Sequence, residues 1–195
     1  MRIIIKESQF KRLLEQKSFK SKFVDWRARS AGQPIFDYIR QWEDFVPFTY
    51  DDHYFPPRVF TGSTSNAKGT LTIGYGTTDP KYAYPGNTIT KKIAEQISQP
   101  DIQEAADCIK RWQGRAKPGD KFSFNNRKIT SGMYYVMSDI VYNMGCQAFI
   151  KTKTIEKIEQ GEYKKAKDFI QNKLEWGHQK RKDQAAITFC KDGVC

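Results

Sequence analysis

Apolar positions along this chain fall into helical stripes on either side of a middle stretch that alternates. Ile35, Tyr38, Ile39, Trp42 and Phe45 recur at helical spacing, which predicts one helix running up to Pro47. From 50 to 90 the texture changes. Pro56-Pro57, Gly62, Gly69, Gly74, Gly76, Pro80, Pro85 and Gly86 punctuate short runs of Tyr, Thr, Phe and Val, the pattern of a hairpin or small sheet. Helices then return. Thr90 caps one holding Ile93 and Ile97, and Asp101 with Glu104 reads as the capping box of a second, through Ile109 and Trp112. Residues 117–129 form a polar connection. Met133, Val136, Met137, Ile140, Val141 and Met144 then mark the cleanest stripe in the chain, stopped by Gly145 as a C′ glycine stops a helix. That stripe predicts a central buried helix whose methionines are core. Further helices are predicted at about 154–160, 162–174 and 178–190. The order of elements makes the class α+β: a small sheet lobe plus a larger helical lobe.

The N-terminal 30 residues stand apart. They carry nine basic side chains against three acidic ones, and Phe10, Leu13, Leu14, Phe19, Phe23 and Trp26 suit amphipathic helix. Ser30-Ala-Gly-Gln-Pro34 reads as a linker, so the expected division is a basic extension, 1–30, and a main domain, 31–195. The extension reads as a packed helix with a solvated basic face, or as an anchor onto a partner or an anionic surface.

Composition narrows the class. Lys plus Arg total 33 against 22 for Asp plus Glu, a net charge of +11, in a chain of 195 residues. Such a surface is drawn to polyanions: nucleic acid, anionic lipid or an anionic wall polymer. No nucleic-acid motif supports the first. Thirteen Phe, ten Tyr and four Trp argue against disorder, and no apolar run is long enough for a transmembrane segment. Met1-Arg-Ile-Ile-Ile-Lys6 lacks the apolar core of a signal peptide, so synthesis and initial retention in the cytoplasm are expected. Cys108, Cys146, Cys190 and Cys195 form no Cys-x-x-Cys pair and are expected as free thiols, and no metal or organic cofactor is expected.

The candidate chemistry lies where the first helix meets the sheet region. Trp42-Glu43-Asp44-Phe45 places a carboxylate among aromatics at the entrance to the strands, where a general acid would be desolvated. Asp51-Asp52 follows eight and nine residues on. Two carboxylates across a cleft, one protonated and one ionised, hydrolyse glycosidic bonds. With 22 acids in the chain, such a pair alone is weak evidence.

The sequence that follows is more specific: Gly69-Thr-Leu-Thr72-Ile-Gly-Tyr-Gly76-Thr77. With Trp42-Glu43, Tyr50 and Asp52 before it, this resembles the phage-type lysozyme (endolysin, muramidase) family of glycoside hydrolases. The likeness continues in order through Gly86-Asn-Thr-Ile-Thr90, Tyr142-Asn143-Met144-Gly145, Phe149, Gly161-Glu-Tyr-Lys-Lys-Ala166 and the basic stretch from Trp176 to Phe189. It covers about 33–190 and leaves the first 30 residues outside. The resemblance implies a lysozyme-like fold and hydrolysis of the β-1,4 bond between N-acetylmuramic acid and N-acetylglucosamine in peptidoglycan. It implies a phage-encoded monomer acting on the wall after release or from a virion. By motif position, Glu43 is the general acid, Asp52 the second carboxylate, and Thr72 the hydroxyl that helps hold the attacking water. Tyr50, Tyr75, Asn143 and Phe149 are candidate substrate-binding residues. For Tyr75 and Phe149 core packing is an equal reading, and Asn143 also suits bracing of a helix end.

One departure stands out. Nineteen residues separate Asp52 from Thr72, far more than in the family pattern, and read as an enlarged hairpin that leaves Asp51 as an alternative to Asp52. Rival readings are a lytic transglycosylase, which needs one acid and no water, and a non-enzymatic virion or wall-binding protein of this fold.

Overall fold

The computed structural model describes residues 33–114 and 128–195. The expectations for residues 1–30, and for nearly all of the 117–129 connection, lie outside the described residues. The chain divides into two compact units, the boundary falling between Asp107 and Cys108.

The first unit opens with helix α1, Gln33–Arg40, which buries Ile35 and Ile39. Pro34 sits in its first turn, where a missing N–H costs nothing. The helix stops well short of Pro47. Trp42 and Glu43 donate their N–H groups to Ile39 and Arg40 at 3.0 and 3.2 Å, the tighter i−3 spacing of a turn that is ending. Pro47 disfavours helical geometry in the residue before it, and Val46 instead begins strand β1, Val46–Asp51. Glu43 therefore lies in a turn beyond the helix.

Strand β2, Leu71–Gly74, pairs antiparallel with β1, with Tyr50 opposite Thr72, Asp51 opposite Leu71 and a bulge between Val46 and Tyr50. The long insertion leaves these bases paired. It is more than an enlarged hairpin tip, because Val59 and Phe60 return to β1. Val59 bridges Tyr50, and the Phe60 N–H donates to Thr49 O at 2.8 Å. Asn87 O accepts from the Thr49 N–H at 3.0 Å and the Ile89 N–H donates to Pro47 O at 2.8 Å, so the edge of β1 away from β2 is covered as well.

Helix α2, Lys91–Gly114, runs as one 24-residue helix with Pro100 inside it, where the sequence predicts two. Thr90 does cap it, its hydroxyl accepting from the Ile93 N–H at 3.4 Å. Buried Ala94, Ser98, Ile102, Ala105, Ala106 and Ile109 keep one face in register across the proline. That continuous apolar stripe outweighs the proline's cost of about 3 kcal/mol.

The second unit contains the end of α2 and five more helices: α3 (Ser131–Met144), α4 (Cys146–Ile150), α5 (Lys153–Glu159), α6 (Tyr163–Asn172) and α7 (Gln179–Cys190). As the methionine stripe predicts, α3 is the buried one. Met133, Val136, Met137 and Ile140 are wholly inaccessible, Thr130 caps its start, and Gly145 ends it at φ 83°. α7 packs on both α3 and α6. The cysteine expectation is corrected. Cys108 bonds Cys146, Cys190 bonds Cys195, and no free thiol is left. Neither spacing carries a pairing signal: Cys108 lies on α2 and Cys146 opens α4, while Cys190 ends α7 and Cys195 follows it, so the bonds depend on where the fold places the sulfurs. With seven helices and one two-stranded sheet among the described residues, the class is α+β. No described helix is long and apolar enough to cross a membrane.

Candidate active site

The Thr72-Ile-Gly-Tyr-Gly motif is a closed turn. Ile73 and Thr77 exchange both backbone hydrogen bonds at 3.0 Å, so only Gly74, Tyr75 and Gly76 lie between them. Closure this tight needs left-handed backbone on both sides of Tyr75, and Gly74 (φ 71°) and Gly76 (φ 93°) supply it. The turn fixes the end of β2, and with it Thr72 opposite Tyr50.

The neck of the insertion is fixed by two adjacent aspartates with different tasks. Asp51 is 3% exposed and accepts from three backbone N–H groups: His53 at 3.0 Å, Lys68 at 2.7 Å and Gly69 at 2.9 Å. Burial pushes its carboxyl pKa up, but the three N–H bonds, helped by the charge of His53, outweigh that and hold it below the ordinary aspartate value. One carboxylate thus ties both ends of the loop together. Gly69 is required there, because a Cβ would come within 2.1 Å of the Asp52 carboxylate and 2.8 Å of that of Asp51. Asp52 is exposed. Its N–H donates to Thr70 O at 3.1 Å, and its Oδ1 accepts from the Thr70 N–H at 2.6 Å, leaving Oδ2 toward solvent chemistry.

The charges of three carboxylates act on Tyr50. Half-buried on β1, its hydroxyl pKa is pushed up by burial first, then by the charges of Asp52, Glu43 and Asp44. All three acids are therefore near enough to act on one phenol. Glu43 is half-buried, with Trp42 and Phe45 beside it in the chain at similar depth. Thr72 is 4% exposed and donates its hydroxyl to Thr70 O at 3.1 Å, which keeps its oxygen lone pairs as acceptors.

The remaining predicted residues are placed otherwise. Tyr75 is nearly buried, its ring 5.7 Å from that of Phe45. It lines a cavity of about 280 Å³ with Asp37, Arg40, Lys91 and Glu95, and neither Glu43 nor Asp52 reaches that cavity. Asn143 and Phe149 belong to the second unit. Phe149 is wholly buried, so the core reading replaces the substrate-binding one. Asn143 is exposed but engaged: its Nδ2 donates to Asp139 O at 2.8 Å, and its Oδ1 accepts from Arg181 Nη1 at 3.3 Å.

Sequence reasoning missed that last arrangement. Asp139, fully buried, faces Arg181, 4% exposed, through Nε to Oδ2 at 3.2 Å and Nη2 to Oδ1. Trp176 covers the guanidinium at 5.5 Å. An aspartate inside an otherwise apolar stripe was the available signal. Among the described residues, no group of three or more His, Cys, Asp or Glu is placed to hold a metal ion.

Comparison with known proteins bears on these placements. No curated protein sequence matches the chain. Among solved structures, the muramidase domain of SpmX from Asticaccaulis excentricus superposes with a TM-score of 0.59 at 14% identity, covering 83% of this chain and 98% of that one. The endolysin from Escherichia coli O157:H7 phage FAHEc1 gives 0.58 at 19% identity, covering 83% and 94%. P22 lysozyme gives 0.57 at 18% identity, covering 83% and 98%. At these identities the likeness establishes the lysozyme fold. The sequence profile of the phage lysozyme family matches residues 59–188, a stretch that takes in Thr72 and Tyr75 and begins after Glu43, Tyr50 and Asp52. With two thirds of its length inside that profile, the chain belongs to the phage lysozyme family.

Proposed function

We propose that this chain hydrolyses the β-1,4 bond between N-acetylmuramic acid and N-acetylglucosamine in peptidoglycan. The assignment is carried by the β1–β2 pairing, which sets Thr72 opposite Tyr50 at the neck that Asp52 closes, with the charges of Asp52 and Glu43 both felt at the Tyr50 hydroxyl. Membership of the phage lysozyme family supplies the substrate class. Glu43, half-buried in the turn after α1, is the general acid that protonates the leaving oxygen. Asp52 is the ionised partner. Exposed, and with one oxygen held by the Thr70 N–H, it keeps the other to orient a water. Asp51 is the poorer candidate, because three backbone N–H groups already occupy its carboxylate. Thr72, opposite Tyr50, contributes a hydroxyl oxygen to the same water. Tyr50 is the substrate-facing aromatic. A water activated on the face opposite the acid gives inversion at the anomeric carbon. Residues 1–30 serve as an extension that is dispensable for this chemistry.

Clearing of purified peptidoglycan by wild type and Glu43→Gln tests the proposal. The amide cannot deliver a proton, so the variant should fold normally and lose about 10³-fold in rate. Clearing at wild-type speed would sink the assignment.

A further inference from the structure

The insertion between β1 and β2 presents an apolar surface that the fold does not use. Phe55 is 94% exposed, Val59 53% and Tyr54 45%, although such rings are ordinarily covered. The loop that carries them is built. Asp51 clamps residues 53, 68 and 69 together, the Tyr54 N–H donates to Asp51 O at 3.1 Å, and Phe60 returns to hydrogen-bond β1 and receive the Gly86 N–H at 2.8 Å. Tyr54 is held on two sides, by the His53 ring edge-on at 5.0 Å and the Lys68 ammonium 5.8 Å from its centroid. Phe55 lies three residues from Asp52, whose own backbone closes the same neck.

We infer that Tyr54 and Phe55 form a stacking platform for the glycan strand, an added subsite that binds a sugar beyond the pair being cleaved. The face of a pyranose carries C–H bonds of slight positive charge, and an aromatic face is electron-rich, so the two stack with loss of apolar surface to water. One exposed ring matches one sugar face in size. The cations complete the match. Lys68 against Tyr54, and exposed Arg58 after Pro57, give the patch positive charge that complements the acidic groups of a peptidoglycan strand. A bilayer is the poorer occupant, because the apolar run Tyr54-Phe55-Pro56-Pro57 is short and lies in bends and open chain, with no amphipathic helix to seat in an interface.

The inference rests on the hydrolase reading for the identity of the strand, and the test separates the two. Sedimentation with purified sacculi measures binding of the Glu43→Gln chain, with and without Phe55→Ala, at low and high salt. Kinetics on long glycan strands compare wild type with Phe55→Ala alone. Because Phe55 is exposed, its removal leaves the fold intact. The expected result is about a tenfold weaker sacculus affinity for Phe55→Ala, retained at high salt because stacking is not screened. On long strands KM rises by the same factor while kcat is kept. Unchanged sacculus binding overturns the inference, as does a Phe55-dependent loss seen instead on phosphatidylglycerol vesicles. If wild type binds sacculi through Phe55 yet never cleaves them, the hydrolase reading falls and the platform stands. If wild type and Phe55→Ala cleave with equal KM, the platform alone falls.

Discussion

The buried pair Asp139–Arg181 is costly to break, and its removal can be worked through. Asp139 is fully buried and Arg181 4% exposed, so water takes up neither charge when its partner is lost. Among the described residues, Arg181 donates to both carboxylate oxygens and to Asn143 Oδ1. Arg181→Met keeps much of the volume and strips the cation, taking two charge-assisted bonds from a fully buried carboxylate. Breaking one side of such a pair costs about 3–5 kcal/mol. For a chain of this size each kcal/mol lowers Tm by about 2–4 °C, so the variant should melt about 10 °C lower. Asp139→Asn keeps one acceptor for the guanidinium and should fall at the lower end of that range. The informative variant is the double replacement Asp139→Leu with Arg181→Met. Both desolvation penalties vanish together, so it should cost far less than the two singles added. Urea unfolding followed by circular dichroism gives all the values, provided the m-values agree. Single variants within about 0.5 kcal/mol of wild type, or a double equal to their sum, would refute the argument.

Three further outcomes are expected. The lowered pKa of Asp51 means that it stabilises the loop neck above the ordinary aspartate range, and that this contribution is lost as pH falls from about 4 through its folded value. Hydrogen exchange at Lys68 and Gly69 should speed up over that window, and in Asp51→Asn the acid-dependent step should disappear; protection unchanged down to pH 2 would count against the clamp. Asp52→Asn should lose most of the wall-clearing rate with its unfolding midpoint unchanged, since its carboxylate is exposed; near-wild-type clearing would remove it from the mechanism. Cys146→Ser opens a loop spanning 38 residues and should destabilise by up to about 4 kcal/mol, read as a lower Tm that reductant no longer shifts much further.

What the sequence made legible were features that neighbouring residues encode among themselves. The methionine stripe fixed α3 because six apolar positions at helical spacing leave few alternatives, and Gly145 closed it by its positive φ. The Thr72-Ile-Gly-Tyr-Gly turn was legible for the same reason, since its two glycines answer a purely local demand. Local signals misled where two agreed with more than one outcome. Trp42 and Phe45 continue a helical period, yet Pro47 and the pairing of Val46 with Gly74 draw them out of the helix. Pro100 with Asp101 and Glu104 reads as a stop and a fresh start. An apolar stripe that runs through the junction makes one helix of it.

Partners far apart in the chain stayed hidden, and they are the ones that decide the site. Asp51 and Asp52 are the same residue type at consecutive positions, so no composition or spacing argument separates them. The returning end of the insertion does, because it meets the two carboxylates with different backbone donors. One carboxylate is buried, where the returning end of the insertion offers the N–H groups of Lys68 and Gly69, and the other is exposed and takes the Thr70 N–H. The insertion that put Asp52 in doubt is thus what distinguishes it from Asp51. Its far end supplies the donors that occupy Asp51, and the Thr70 N–H that holds one oxygen of Asp52 while leaving the other for a water. Gly69 lets the returning chain pass this close, since a Cβ there would meet the His53 backbone nitrogen at 2.8 Å as well as both carboxylates.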